Sequence, residues 1–365
     1  MKKIFTIFSM IMLCVALFSE NSPTISRVIE YRPAPGQHIN RLFPPPDMSD
    51  TPENALKFAN EKLVGNAGII GLGAFGGYVI VGFDHSIVNV KGEYDFKALG
   101  NAFQNSAEPG IVMVCQDLNK NGKPDENEPW YELAGSDYYH PETIKNYEIT
   151  YYRPEPDGQK SAIRWTDNQE NEGTIKHMGS QSTMYPLWIS DNTLTFKGTK
   201  LRNTAYKDGM IKLPAFDWGY VDNHSNSEDI EKTGFKIDWA VDDKGNSVDL
   251  AYIDFIKIHT GQLQEAGWLG ETSTEVKGII DLHPDAVLSS VEPTNYHEAT
   301  IFVSKGVLWV KEMEVTLINL YNIQGALVKQ VQNTASVSMN DLPKGVYIVE
   351  ITDDMNSKYF NKVTN

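Results

Sequence analysis

Cysteine is nearly absent from this 365-residue chain, with only Cys14 and Cys115 present. Cys14 falls in the N-terminal apolar stretch, so a chain cleaved after that stretch has no internal disulfide to form. An exported chain without disulfides must gain rigidity another way, and a bound metal is one candidate. Basic residues are scarce as well. Lys plus Arg number 32 against 48 Asp plus Glu, a formal net charge of −16. That balance argues against nucleic acid and against an anionic membrane surface as partners. It suits solubility and divalent cations, and by itself identifies no function. No apolar run after residue 18 is long enough to span a bilayer. Helical periodicity of useful length is missing from residues 69–259, which argues against parallel α/β units. Catalytic signatures are missing too: there is no nucleophile elbow, no HExxH and no CxxC, and the eight histidines stand singly. A binding role is therefore expected ahead of catalysis, and no catalytic residue is assigned. Two alternatives stay open. One is a secreted hydrolase acting on glycan through two carboxylates, whose spacing exists only in three dimensions. The other is an adhesive or structural surface protein.

What is present divides into segments. Residues 1–20, MKKIFTIFSMIMLCVALFSE, have two lysines followed by an apolar stretch, the layout of a signal peptide. Ile11, Met12 and Leu13 before Cys14 are not the small residues that lipoprotein processing prefers. Residues 21–66 form a proline-rich lead and a short helix. Pro44, Pro45 and Pro46 exclude regular structure, and Thr51 as cap with Pro52 in the first turn starts a helix ending at Gly65. Residues 67–284 carry GYVIVGF, SIVNV, GIVMVCQ, WYELAG, YEITYYRP, LTFKG, FKIDWAV and AYIDFIKIHT, short β-branched and aromatic runs separated by Gly, Asn, Asp or Pro. This predicts an all-β domain, a jelly-roll-like β-sandwich. A polar linker over 285–305 leads to residues 306–365, which read as a small Ig-like β-sandwich.

GLGAFG at residues 71–76 matches a dinucleotide-binding pattern on paper. A strand follows it where that mechanism needs a helix N-terminus, so the glycines are read as serving a tight turn or bulge. DLNKNGKPDENE, residues 117–128, is more specific. Asp117, Asn119, Asn121, Lys123 (through its carbonyl), Asp125 and Glu128 fall at positions one, three, five, seven, nine and twelve. Gly122 stands at the sixth, in the order of oxygen ligands that wraps Ca2+. Pro124 at position eight and strand-like flanks make it an EF-hand-like loop between strands, a structural calcium staple. A metal-free Asx-rich hairpin is the competing reading, since Asn, Asp and Gly favour turns anyway. DDKGNSVD, residues 242–249, reads as a plain turn, and Cys115 as a buried thiol. Most tryptophans sit in strand patterns and belong to the core. Trp165, Trp218 and Trp268 lie nearest predicted loops and are the candidates for a ligand surface.

Two resemblances add to this reading. The tail, with Leu320-Tyr321-Asn322, Gly325 and LPKGVYIV, resembles the C-terminal sorting domain of type IX secretion substrates of Bacteroidetes. That resemblance implies recognition by the type IX secretion machinery and a location outside the cell, secreted or on the outer-membrane surface. Residues 32–284, with GAFGGYVIVGFDHSIVN, EPGIVMVCQDLNKNGKPDENEPWYELAGSDY and IDFIKIHTGQLQEAGWLGETSTEV, are similar to a group of Bacteroidetes cell-surface β-sandwich proteins. Some of those lie beside outer-membrane uptake systems, corrinoid ones included. This implies capture of a glycan or small ligand, for which a corrinoid is one candidate.

Overall fold

Runs that alternate in the sequence pair as antiparallel sheets, and helices are few and short. The computed structural model describes residues 21–155, 160–267, 270–286, 300–311, 313–354 and 358–365. The expected signal peptide, with Cys14, and residues 287–299 of the expected linker lie outside them. The chain divides into two units, Met1–Leu288 and Ser289–Asn365.

The first unit is a β-sandwich. Its larger sheet runs, in spatial order, Arg27–Arg32, Tyr78–Val88, Tyr252–Thr260, Gly110–Cys115, Tyr131–Leu133 and Ala240–Val241. Successive side chains in a strand point to opposite faces. One face therefore carries Val79, Val81, Val112, Val114, Ile256 and Ile258, all buried and aligned across the register. The other carries Tyr78, Lys257 and His259, and a four-stranded sheet packs over it. That sheet is ordered Thr193–Lys200, Ile144–Tyr152, Ile163–Asp167 and Glu172–Ile175. Tyr78 meets Phe196 edge to face at 6.3 Å. Gly198 faces His259, which leaves no room for a larger side chain there: a Cβ would lie 2.9 Å from the imidazole. Lys257 is tolerated between the sheets because its amine lies 4.0 Å over the Tyr78 ring.

Helix Pro52–Leu63 begins at Thr51, whose side chain accepts a hydrogen bond from Asn54 N, and it buries Ala55, Phe58, Ala59 and Leu63. Asn60 Oδ1 accepts from Val28 N at 2.9 Å, which occupies a backbone donor on the sheet's edge strand. Within 71–76, Gly73 and Gly76 have positive φ, and Cβ atoms there would lie 2.1 Å from Ala34 O and 2.4 Å from Phe196 Cβ. The glycines serve a tight backbone turn, and the strand Tyr78–Val88 follows. Cys115 is buried and free, and burial pushes its thiol up to about 12.

Two segments differ from their sequence reading. GYVIVGF and SIVNV form one continuous strand, Tyr78–Val88, with His85 pinned between Asp84 and Asp281 at 2.7 Å each. FKIDWAV is not one strand: Gly234–Phe235 and Ala240–Val241 flank a 3-10 turn at Ile237–Trp239. Asp95 Oδ2 accepts from Ile237 N at 2.6 Å and takes the donor a ladder would use.

The second unit is a smaller sandwich. Thr300–Ser304, Val307–Lys311 and Ser336–Ser338 form one sheet. Leu327–Gln332, Val315–Asn322, Val346–Asp353 and Lys358–Thr364 form the other. Leu308, Val310, Ile318, Leu320, Val337, Met339, Tyr347, Val349, Ile351 and Val363 make its core.

Candidate functional site

The acidic loop joins two neighbouring strands, Gly110–Cys115 and Tyr131–Leu133, which pair through Met113 with Glu132 and Val114 with Tyr131. Lys120 and Gly122 take positive φ within it. Asp117 accepts from Asn121 N at 3.0 Å and from Gly122 N at 2.7 Å. Asn119 Oδ1 accepts from Asn121 N, and Asn121 Oδ1 from Lys123 N, both at 3.0 Å. Glu128, only 3 % exposed, accepts from Leu118 N at 2.7 Å and Asp125 N at 3.0 Å. Asp125 Oδ2 accepts from the amides of Asn119 and Asn121 at 2.6 and 2.5 Å, which hold its carboxyl below the usual range. Asp254, from the strand alongside, accepts from Asp117 N at 2.7 Å. Burial and the nearby Asp117 and Glu128 push Asp254 upward. Every side chain of the proposed ligand pattern except that of Lys123 thus turns into the loop, and the donor set is all oxygen, which suits a hard cation. In this conformation those oxygens bind N–H groups instead.

A cleft of about 550 Å³ opens between the paired strands Ile163–Asp167 and Glu172–Ile175 and the residues 262–265 and 271–272. Trp165 lines it, half-buried. Its cross-strand partner is Gly173, where a Cβ would lie 2.5 Å from the indole, so the glycine lets the ring lie against the backbone. Tyr147 donates to Asp167 Oδ2 at 2.7 Å. Burial pushes Asp167 up, but hydrogen bonds from Tyr147, Asn171 and Gln169 outweigh it and hold the carboxyl low. On the opposite wall Glu271 is buried. Its Oε1 accepts from Gln37 N at 2.5 Å and its Oε2 has no partner. Burial pushes Glu271 up to about 8. Lys200 lies 5.2 Å from the Tyr147 ring, its amine lowered by burial, and Lys176 pairs with Glu265 at 3.5 Å.

The remaining candidates fall elsewhere. Trp218 is tilted against Trp239 at 4.5 Å and does not line this cleft. Trp268 lies outside the described residues. The segment 242–249 is a turn, with Asp242 accepting from Lys244 N and Asn246 N. Sequence reasoning missed Glu271 and Asp167, since a lone acid in a strand-rich chain carries no local signal. It also missed a group of three acids, Glu108, Asp222 and Glu275, the last two of them buried.

An all-β sandwich with a polar, tryptophan-bearing cleft and an acidic inter-strand loop is thus joined to a second, smaller sandwich. The second unit identifies the chain's destination. Residues 298–364 match the family described as the secretion system C-terminal sorting domain. That domain belongs to type IX secretion, so the protein interacts with that machinery and is secreted or attached to the cell surface. No curated protein matches the chain. Among the described residues no helix is long and apolar enough to cross a membrane.

Proposed function

We propose that this exported protein captures a glycan in the cleft beside Trp165. The observation that carries the reading is a half-exposed indole in a cleft where amides, carboxyls and lysines stand beside apolar Ile144, Ile175 and Leu263. A sugar ring has an apolar face and a rim of hydroxyls, and it fits an aromatic surface ringed by such groups. The volume lies within the range of small-molecule sites. Glu271, pushed up to about 8 by burial, adds a carboxyl whose protonated form donates as well as accepts. Titration calorimetry against a glycan panel, with a corrinoid alongside, tests this. Trp165→Ala should weaken binding of the best glycan about tenfold, or about 1.4 kcal/mol. An unchanged affinity, or binding of the corrinoid alone, defeats the glycan assignment.

The loop of residues 117–128 is proposed to bind Ca2+ as a staple between its two strands. Binding would turn the Asn119 and Asn121 amides over, so that oxygen replaces nitrogen toward Asp125. Calcium heat that survives both Asp117→Ala and Glu128→Ala would sink this assignment. A second reading, glycan hydrolysis, rests on Asp167 and Glu271 sharing one cleft with their acidities moved in opposite directions, as an acid–base pair requires. Product release from any glycan, abolished in Glu271→Gln, would favour it over capture.

A further inference from the structure

Three acidic side chains from distant segments meet in the first unit. Glu108 precedes the strand Gly110–Cys115, Asp222 follows Val221, which bridges to Gly110, and Glu275 begins the short strand Glu275–Val276. One carboxylate oxygen from each lies within 4.8 Å of the other two. Backbone donors fix their positions. Glu275 N donates to Asp222 Oδ2 at 2.9 Å and Ser273 N to Glu108 Oε1 at 3.1 Å, while Asn101 N binds Asp222 Oδ1. Gly100 leaves the space that Asp222 occupies, since a Cβ would lie 2.6 Å from its Oδ1. Among the described residues no lysine, arginine or histidine acts on any of the three; what surrounds them is further acid, Glu271 included.

A cluster of acids alone means little, but a second observation points to a ligand. Glu275 is 3 % exposed; its Oε1 is buried and receives no donor, and the side chain that meets it is another acid, Glu108. An orphaned buried acceptor costs about 1–3 kcal/mol, and a charged one more. Three carboxylates this close, two of them buried, need positive charge to stay ionised together.

We infer that Glu108, Asp222 and Glu275 hold a divalent cation of the hard, oxygen-seeking class, Ca2+, at a site separate from the loop of residues 117–128. The donor set has no nitrogen or sulfur, which disfavours zinc and other softer metals. Ca2+ accepts a cage of about six to eight protein oxygens, whereas Mg2+ is reluctant to shed its waters. The ion would join three segments far apart in sequence, the role a disulfide often has in exported proteins.

The test is made on the full chain with the loop disabled by Asp117→Asn and Asp125→Asn. This background should still bind one Ca2+ by native mass spectrometry, and its melting temperature should rise by several degrees in Ca2+ relative to EDTA. Adding Glu275→Gln should weaken that binding about tenfold or more. No bound ion in the loop-disabled background, an unchanged affinity with Glu275→Gln, or equal binding of Mg2+ overturns the inference. Should Glu275→Gln not fold, Glu108→Gln, at the only one of the three acids that is not fully buried, takes its place in the loop-disabled chain. It should weaken Ca2+ binding by about the same factor, and an unchanged affinity overturns the inference.

Discussion

Glu350 in the sorting domain and Glu275 in the first unit are 5 % and 3 % exposed, yet their surroundings are opposite. Glu350 is answered by its own domain. Lys358 donates to its Oε1 at 2.5 Å, and Tyr321 and Asn319 donate to its Oε2 at 2.6 and 3.0 Å. Burial alone would raise its pKa, but these donors bring the carboxyl down to about 2. Glu275 instead faces Glu108 and Asp222, with Glu271 nearby, and all four are pushed upward, first by burial. The same residue type, equally buried, is thus answered by donors in one unit and crowded by other acids in the other. The inferred ion therefore concerns Glu275 and not Glu350, whose own domain supplies its donors.

The largest expected effect breaks this contrast by withholding the ion. At pH 8, EDTA should cost the first unit about 4 kcal/mol relative to saturating Ca2+, while the calorimetric transition of the sorting domain stays in place. Equal shifts in both transitions would erase the comparison. Next, Glu350→Ala should cost the sorting domain about 2 kcal/mol, since it strands the Tyr321 hydroxyl and the buried Asn319 amide; denaturant unfolding followed by tyrosine signals from this domain measures it.

The pH dependences should oppose each other as well. Glu271 has a folded value of about 8 against an ordinary 4.5, so between those values the native state keeps a proton the unfolded chain has lost. Without Ca2+, stability of the first unit should therefore fall as pH rises from about 4.5 through 8. Glu271→Gln should flatten that slope, by up to about 1.4 kcal/mol per pH unit within the window. Glu350 is depressed, so its contribution is complete above about 4.5 and is lost as pH falls toward 2. The smallest effect concerns His85, held between exposed Asp84 and buried Asp281. Burial opposes its protonation, but the two acids win and raise it above 6.5. Asp84→Asn should cost under about 0.5 kcal/mol and move the His85 NMR titration back toward its ordinary range. No movement would mean that Asp281 alone sets it.

Much of the fold was legible in the residues. GIVMVCQ and AYIDFIKIHT alternate with period two and form adjacent strands of the main sheet. Thr51, Pro52 and the spacing of Phe58 and Leu63 announced the one substantial helix. FKIDWAV misled because a strand-like composition cannot show that Asp95, far back in the chain, takes the N–H of Ile237. Of the candidate site, Trp165 was legible as an aromatic near a loop. Its flat seat on Gly173 was not, because that depends on cross-strand register.

Taken alone, the sequence determined the all-β class, the export tail and the ordered oxygens of residues 117–128, because periodicity, turn chemistry and ligand spacing are local properties. Tertiary structure alone decided which acids meet. Glu108, Asp222 and Glu275 converge only when three separate segments fold together, and Asp167 and Glu271 share a cleft for the same reason. Burial then sets their charge, and burial is a property of the packed chain.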